Sequence, residues 1–183
     1  GYHYSDDEIY GFSHTHLSGT GVSDYGDILL MPTNQAILNN GANDERGYKS
    51  KFSHKNEVAQ PGYYKVHLED TNIDVELTVS KRSGIHKYEY PSSKNQILIL
   101  DLEHRDVLND FNMSIVNDKE IKGFRHSKAW ATNQMLFYNI VFSRPYKNMI
   151  FLDDKNEGKI VKVAFELHSC ILGASYSQVI IQG

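Results

Sequence analysis

The stretch Asn72 to Lys81, "NIDVELTVSK", decides the fold class. Within it Ile73, Val75, Leu77 and Val79 alternate with Asp74, Glu76, Thr78 and Ser80. Successive side chains of a strand point to opposite faces, so this stretch has one dry face and one wet face. The neighbouring "GYYKVHLED" (62–70) and "GIHKYEYP" (84–91) read similarly, with Gly62, Gly84 and Pro91 as the turns that punctuate them. "QILILDLEH" (96–104) is a continuous apolar run ending in charge, the pattern of a central strand buried on both faces. "FNMSIVND" (111–118), "EIKGFRH" (120–126), "QMLFYNIVFSRP" (134–145) and "KIVKVAFELHS" (159–169) follow, with "NDKE" (117–120) and "DKNEGK" (154–159) as short turns. Strands recurring about every 8–12 residues, with no persuasive helical stripe, predict one all-β domain, a sandwich or barrel. "NNGANDER" (39–46) is a polar loop, and "GASYSQVIIQG" (173–183) is ambiguous, readable as a connection leading out of the domain.

Composition narrows the function classes. The 183 residues suffice for one substantial domain, and a net charge of -4 with scattered basic residues argues against a nucleic-acid partner. The lone cysteine, Cys170, excludes an internal disulfide framework and a multi-cysteine zinc site, and its apolar setting reads as a buried small side chain. No run approaches the roughly 20 apolar residues of a membrane-spanning helix. The opening at Gly1, without methionine, reads as a processed or truncated boundary from which targeting information has been removed.

The chemistry-bearing residues concentrate near the start. In "YGFSHTHLSGTGVSDYGDILLMP" (10–32), His14 and His16 share a face if the segment is extended. Such a pair can chelate a transition metal, with Asp24 or Asp27 as third ligand, but the glutamate that follows His-x-His in the cupin barrels is missing. Polar contacts to a ligand or a neighbouring domain are the preferred reading. "SGTG" (18–21) lacks the Gly-Lys-Ser/Thr ending of a phosphate loop and reads as a tight turn. No Gly-x-Ser-x-Gly elbow is present. "DLEHRD" (101–106) gathers Asp101, Glu103 and Asp106, either a glycosidase-type acid pair or, the preferred reading, a hydrogen-bonded corner. Trp130, the only tryptophan, is equally consistent with stacking on a sugar ring and with anchoring the core.

Residues 1–33, together with "FSHKNEVAQPGYYKVHL" (52–68), "VELTVSKRSGIHKYEYP" (75–91), "ILILDLEHRD" (97–106), "IKGFRHSKAWATNQMLFYNIVFSRP" (121–145) and "VKVAFELHSCILGA" (161–174), resemble the N-terminal domain of glycoside hydrolase family 92. That family comprises bacterial calcium-dependent exo-α-mannosidases, often described as putative α-1,2-mannosidases and engaged in N-glycan degradation. The resemblance implies a large antiparallel β-sandwich of the supersandwich, galactose-mutarotase-like kind. It implies that 1–183 is one domain of a larger enzyme, lacking the strands that normally precede it and a C-terminal α/α toroid. The implied reaction is inverting removal of terminal α-linked mannose, with the pocket between the two domains. Catalytic residues and most calcium ligands then lie outside this chain, which is inactive alone and has no metal ligand of its own. His14, Thr15, His16, Asp24, Asp27 and Trp130 become the expected pocket wall or domain interface. Expected partners are α-mannoside glycans and the toroid; the expected location is periplasmic, cell-surface or secreted. Alternatives are a stand-alone carbohydrate-binding module and a structural scaffold for the catalytic domain.

Overall fold

The computed structural model describes residues 3–15, 26–43, 45–152 and 161–168, and the backbone of 175–182. His16, Asp24, Cys170 and the "SGTG" and "DKNEGK" segments lie outside the described residues. The strands, in chain order, are β1 (Glu8–Ile9), β2 (Leu29–Thr33), β3 (Ser50–Lys51), β4 (Glu57–Gln60), β5 (Tyr63–Leu68), β6 (Ile73–Val79) and β7 (Ser83–Tyr90). They continue with β8 (Ile97–Asp101), β9 (Val107–Asn117), β10 (Glu120–Lys128), β11 (Gln134–Phe142), β12 (Tyr146–Phe151), β13 (Lys162–Leu167) and β14 (Ser175–Gln182). A 3₁₀ turn, His54–Asn56, is the helical element among the described residues; Ser53 caps it by accepting from the Lys55 amide. None is a helix long and apolar enough to cross a membrane.

An eight-stranded sheet runs β4-β5-β6-β7-β14-β11-β10-β9 and a four-stranded sheet runs β12-β13-β8-β2, with β1 and β3 forming a small ribbon. The pairings in both larger sheets are antiparallel. Alternation fixes which face of the larger sheet is dry: Ile73 and Val75 of β6, Tyr88 and Tyr90 of β7, and Tyr138 and Ile140 of β11 are all buried. They form one core with Leu30 and Met31 of β2, Leu98 and Leu100 of β8, and Phe165 of β13. Phe142 of the large sheet meets Phe165 of the small one, ring centroids 5.0 Å apart. Strand β8 is buried at every position, as its continuous apolar run requires. Its far side is covered by the 38–49 stretch, where the buried Asp101 accepts from Tyr48 Oη at 2.6 Å and pairs with Lys162 at 3.0 Å. Lys162 Nζ also reaches the Leu38 carbonyl.

One sequence expectation fails here, and one ambiguous segment is resolved. Gly84 lies inside β7 and makes no turn. A Cβ at this position would fall 2.2 Å from the ring of His14, so the glycine serves a close approach across the sheet. Residues 175–182, ambiguous in the sequence, form β14, which pairs with β7 on one side and β11 on the other and joins the two halves of the large sheet. Its short "VII" run is flanked by serine and glutamine, which hides a strand this central.

Candidate functional site

The candidate site is organised by Arg125. On β10, Ile121, Arg125 and Ser127 keep the inward phase, which carries the guanidinium into the interior, where it is 0% exposed. Arg125 donates from Nε to the Leu102 carbonyl at 2.6 Å and from Nη2 to the His104 carbonyl at 3.1 Å. Its Nη1 donates to Asp27 Oδ1 at 2.7 Å and lies 3.5 Å from Asp106 Oδ2. Gln134, opening β11, donates its amide to both carboxylate oxygens of Asp27 at 2.6 Å. Ser127 donates to Asp106 at 3.0 Å, at a bulge in the β9–β10 pairing. The extra residue, Asn109, belongs to β9 and follows Asp106 by three positions.

These contacts tie together residues far apart in the chain. The Asp27 amide donates to Thr15 Oγ1 at 3.2 Å, linking the two ends of the segment that carries "HLSGTG". Burial pushes the Asp27 carboxyl above the usual range, Asp106 adds to that, and Arg125 and Gln134 oppose it. With both oxygens already accepting, Asp27 fixes the start of β2 and is ill suited to exchanging protons. Trp130 lies in the connection at the tip of the β10–β11 hairpin, next to the closing pair Ser127 and Gln134, where the Ala129 amide donates to the Ala131 carbonyl. It is 74% exposed, which overturns the core-anchor alternative.

His14 enters the notch at Gly84 and meets His86 of β7, Nε2 to Nε2 at 2.5 Å. His86 is fully buried, and its Nδ1 meets the Tyr88 hydroxyl at 2.6 Å. Burial lowers the affinity of both imidazoles for protons, most strongly for His86. Thus Thr15 and Asp27 are brought into contact, His14 adjoins Thr15 but docks on β7, and Trp130 lies at the exposed hairpin tip, four residues before Gln134. Sequence reading missed Arg125, Gln134 and His86. The available signal was phase: His86 alternates in step with Tyr88 and Tyr90, and Arg125 with Ile121, so both are polar residues on a dry face.

Two of the "DLEHRD" carboxylates, Asp101 and Asp106, face donors, and Asp106 Oδ1 is buried without a hydrogen-bond partner among the described residues. Asp101 takes Tyr48 and Lys162, and also accepts from the Glu103 amide at 2.9 Å, whereas Asp106 takes Ser127 and Arg125. Burial also pushes the His104 imidazole down to about 4, so the ring is neutral near pH 7. Among the described residues no three His, Cys, Asp or Glu side chains form a metal-ligand group.

Residues 1–170 match the glycosyl hydrolase family 92 N-terminal domain. The chain belongs to this family. Its fold matches the family GH92 α-mannosidase BT3965 from Bacteroides thetaiotaomicron, solved in complex with mannoimidazole, with a TM-score of 0.84 and 28% identity. That match covers 100% of this chain and 26% of the mannosidase. The GH92 glycosyl hydrolase ccman5 gives a TM-score of 0.80 at 23% identity, covering 100% of this chain and 27% of its own. The GH92 inverting mannosidase BT2199 from the same Bacteroides gives 0.75 at 17%, covering 99% and 25%, and these two likenesses speak to fold alone. No curated protein sequence matches the chain. The family 92 N-terminal domain seen here therefore spans about a quarter of the length of these solved relatives. The β-sandwich and the family expected from the sequence are both observed.

Proposed function

We propose that this chain forms the N-terminal β-sandwich of an exo-acting enzyme that removes terminal α-linked mannose with inversion, and that it builds one wall of the active-site pocket. The observation that carries the reading is the bonded path from Thr15 through Asp27 to Gln134, at the loop end of the hairpin that presents Trp130. This path holds two candidate contact regions in a fixed relation, in a fold matched by a mannosidase solved with mannoimidazole. The wall comprises His14, Thr15, His16, Asp24, Asp27 and Trp130, and the catalytic residues lie outside this chain. The partner is a C-terminal α/α toroid of the same polypeptide, the substrates are α-mannoside glycans, and the location is periplasmic, cell-surface or secreted.

Calcium belongs to the proposed whole enzyme, with ligands mainly outside this chain. The described carboxylates fit it poorly: both oxygens of Asp27 and of Asp101 already accept from Arg125, Gln134, Tyr48, Lys162 or the Glu103 amide, and of Asp106 only Oδ1 is unpartnered, one oxygen where the cation takes about six to eight. The test compares the 183-residue chain with the longer polypeptide on an aryl α-mannoside, with and without a chelator. Turnover by the longer form alone, abolished by chelation, is expected; chelator-sensitive turnover by the short chain refutes the division of labour. The exposure of Trp130 favours a second reading, a stand-alone carbohydrate-binding module. NMR titration of the chain with mannobiose separates the two, since saturable millimolar binding centred on Trp130 supports the second.

A further inference from the structure

We propose that His86 is a positioning residue that acts through His14, holding the 11–15 segment on β7 by a single shared proton so that acid releases it. The first observation is steric. Because position 84 has no Cβ, β7 leaves a notch that the His14 ring fills, and the rings of His14 and His86 stand edge to face with centroids 4.5 Å apart.

The second is a proton count. Among the described residues His86 Nδ1 is the acceptor available to the Tyr88 hydroxyl, so Tyr88 donates to it. The proton of a neutral His86 then sits on Nε2 and is donated to Nε2 of His14, whose own proton is on Nδ1. Every N–H and O–H between these three groups has an acceptor, and the set is neutral. Adding a proton at His14 Nε2 sets two N–H groups against each other. Moving the His86 proton to Nδ1 would relieve that clash but leave the buried Tyr88 hydroxyl without an acceptor among the described residues.

Among the described residues the surroundings of the two rings offer a cation no partner. Leu77 of β6 and Val179 of β14 stand opposite His86 in the register, Tyr90 follows Tyr88 along the same face, and no carboxylate among the described residues contributes to the electrostatics of either ring. An unpaired charge there is costly, so the protonated ring leaves for water. Departure of His14 loosens Thr15, whose hydroxyl receives the Asp27 amide, and Phe12, whose amide and carbonyl both pair with Leu30. The closed form holds its imidazoles below the ordinary value of about 6.5, so closure is complete above that value and lost as pH falls below it. The latch stands on the fold alone; only its bearing on a mannose pocket rests on the proposed function.

Amide hydrogen exchange of the chain between about pH 7.5 and pH 5, corrected for intrinsic rates, tests the latch. Opening read at the Phe12 and Asp27 amides is expected to rise up to about tenfold per pH unit below about 6.5, while β6 and β8 amides stay protected. His14→Gln, which accepts from His86 but does not titrate, is expected to flatten that profile. Gly84→Ala is expected to open the segment at neutral pH with little further acid response. A flat wild-type profile, or an unchanged slope in His14→Gln, overturns the proposal. Should Gly84→Ala fail to fold, imidazole nitrogen shifts decide: His86 protonated at Nε2 near neutrality supports the latch, and Nδ1 protonation or ordinary titration of His14 refutes it.

Discussion

Replacing Arg125 by methionine removes a buried cation and keeps most of its volume. The change strands the Leu102 and His104 carbonyls and leaves Asp27 and Asp106 facing each other without the guanidinium between them. Breaking a buried pair from one side costs about 3–5 kcal/mol, because the remaining charge stays desolvated. Each stranded carbonyl has a penalty of about 1–3 kcal/mol that overlaps with this and does not simply add. Against a total stability of about 5–15 kcal/mol, Arg125→Met should be severe yet measurable. At about 2–4 °C per kcal/mol for a chain of this size, Tm should drop by roughly 6–20 °C. The pH dependence is the sharper test. Without Arg125 the Asp27 carboxyl, already raised by burial, rises further, so the folded variant binds a proton more tightly than the unfolded chain. The deficit relative to wild type is then largest near neutral pH and narrows as pH falls through the raised value. Arg125→Lys, which keeps the charge but not the fork, should fall between the two. Urea unfolding at several pH values is the assay. A loss under about 1 kcal/mol, or a deficit that is the same at every pH, would refute the claim that Arg125 offsets the burial of the Asp27 carboxylate.

Three further outcomes are expected. Tyr48→Phe removes a donor from the buried Asp101 and leaves Lys162, so urea unfolding should show a loss of about 1–2 kcal/mol. Since His104 is held down to about 4, its share of stability is present above about 6.5 and declines as pH falls between those values; His104→Gln should reduce the slope of unfolding free energy against pH in that window. Trp130→Ala, at an exposed hairpin tip, should shift stability by no more than about 0.5 kcal/mol, while mannoside turnover by the longer enzyme falls about twofold to tenfold.

The alternating patterns of β5, β6 and β7 and the solid apolar run of β8 announced themselves because a two-faced sheet leaves a two-residue period in the chain. What stayed hidden has a physical reason in each case. Asp27 was noticed, but its partners stand at 125 and 134, and no local rule links residues about a hundred positions apart. Gly84 was read as a turn because glycine most often supplies backbone freedom; here it makes room for a ring from another part of the chain. His86 and Arg125 were legible in principle, since a polar residue on the dry phase of a strand must find a buried partner. That rule says a partner exists, and not where it lies.

Strand β14 shows why the least legible element matters most to the site. In the sheet order it separates β7, where His14 docks, from β11 and β10, where Asp27 is clamped. The backbones of β7 and β11 are thus held two strand spacings apart, about 10 Å, by the backbone pairing of β14. Thr15 and Asp27 nevertheless meet through one hydrogen bond, which is possible only while that spacing and register persist. A one-residue slip of β14 against β7 would leave the β5–β7 half of the sheet intact and shift one anchor relative to the other. The geometry of the candidate site is therefore set by backbone pairing at the far end of the chain as much as by the histidines and aspartates near its start.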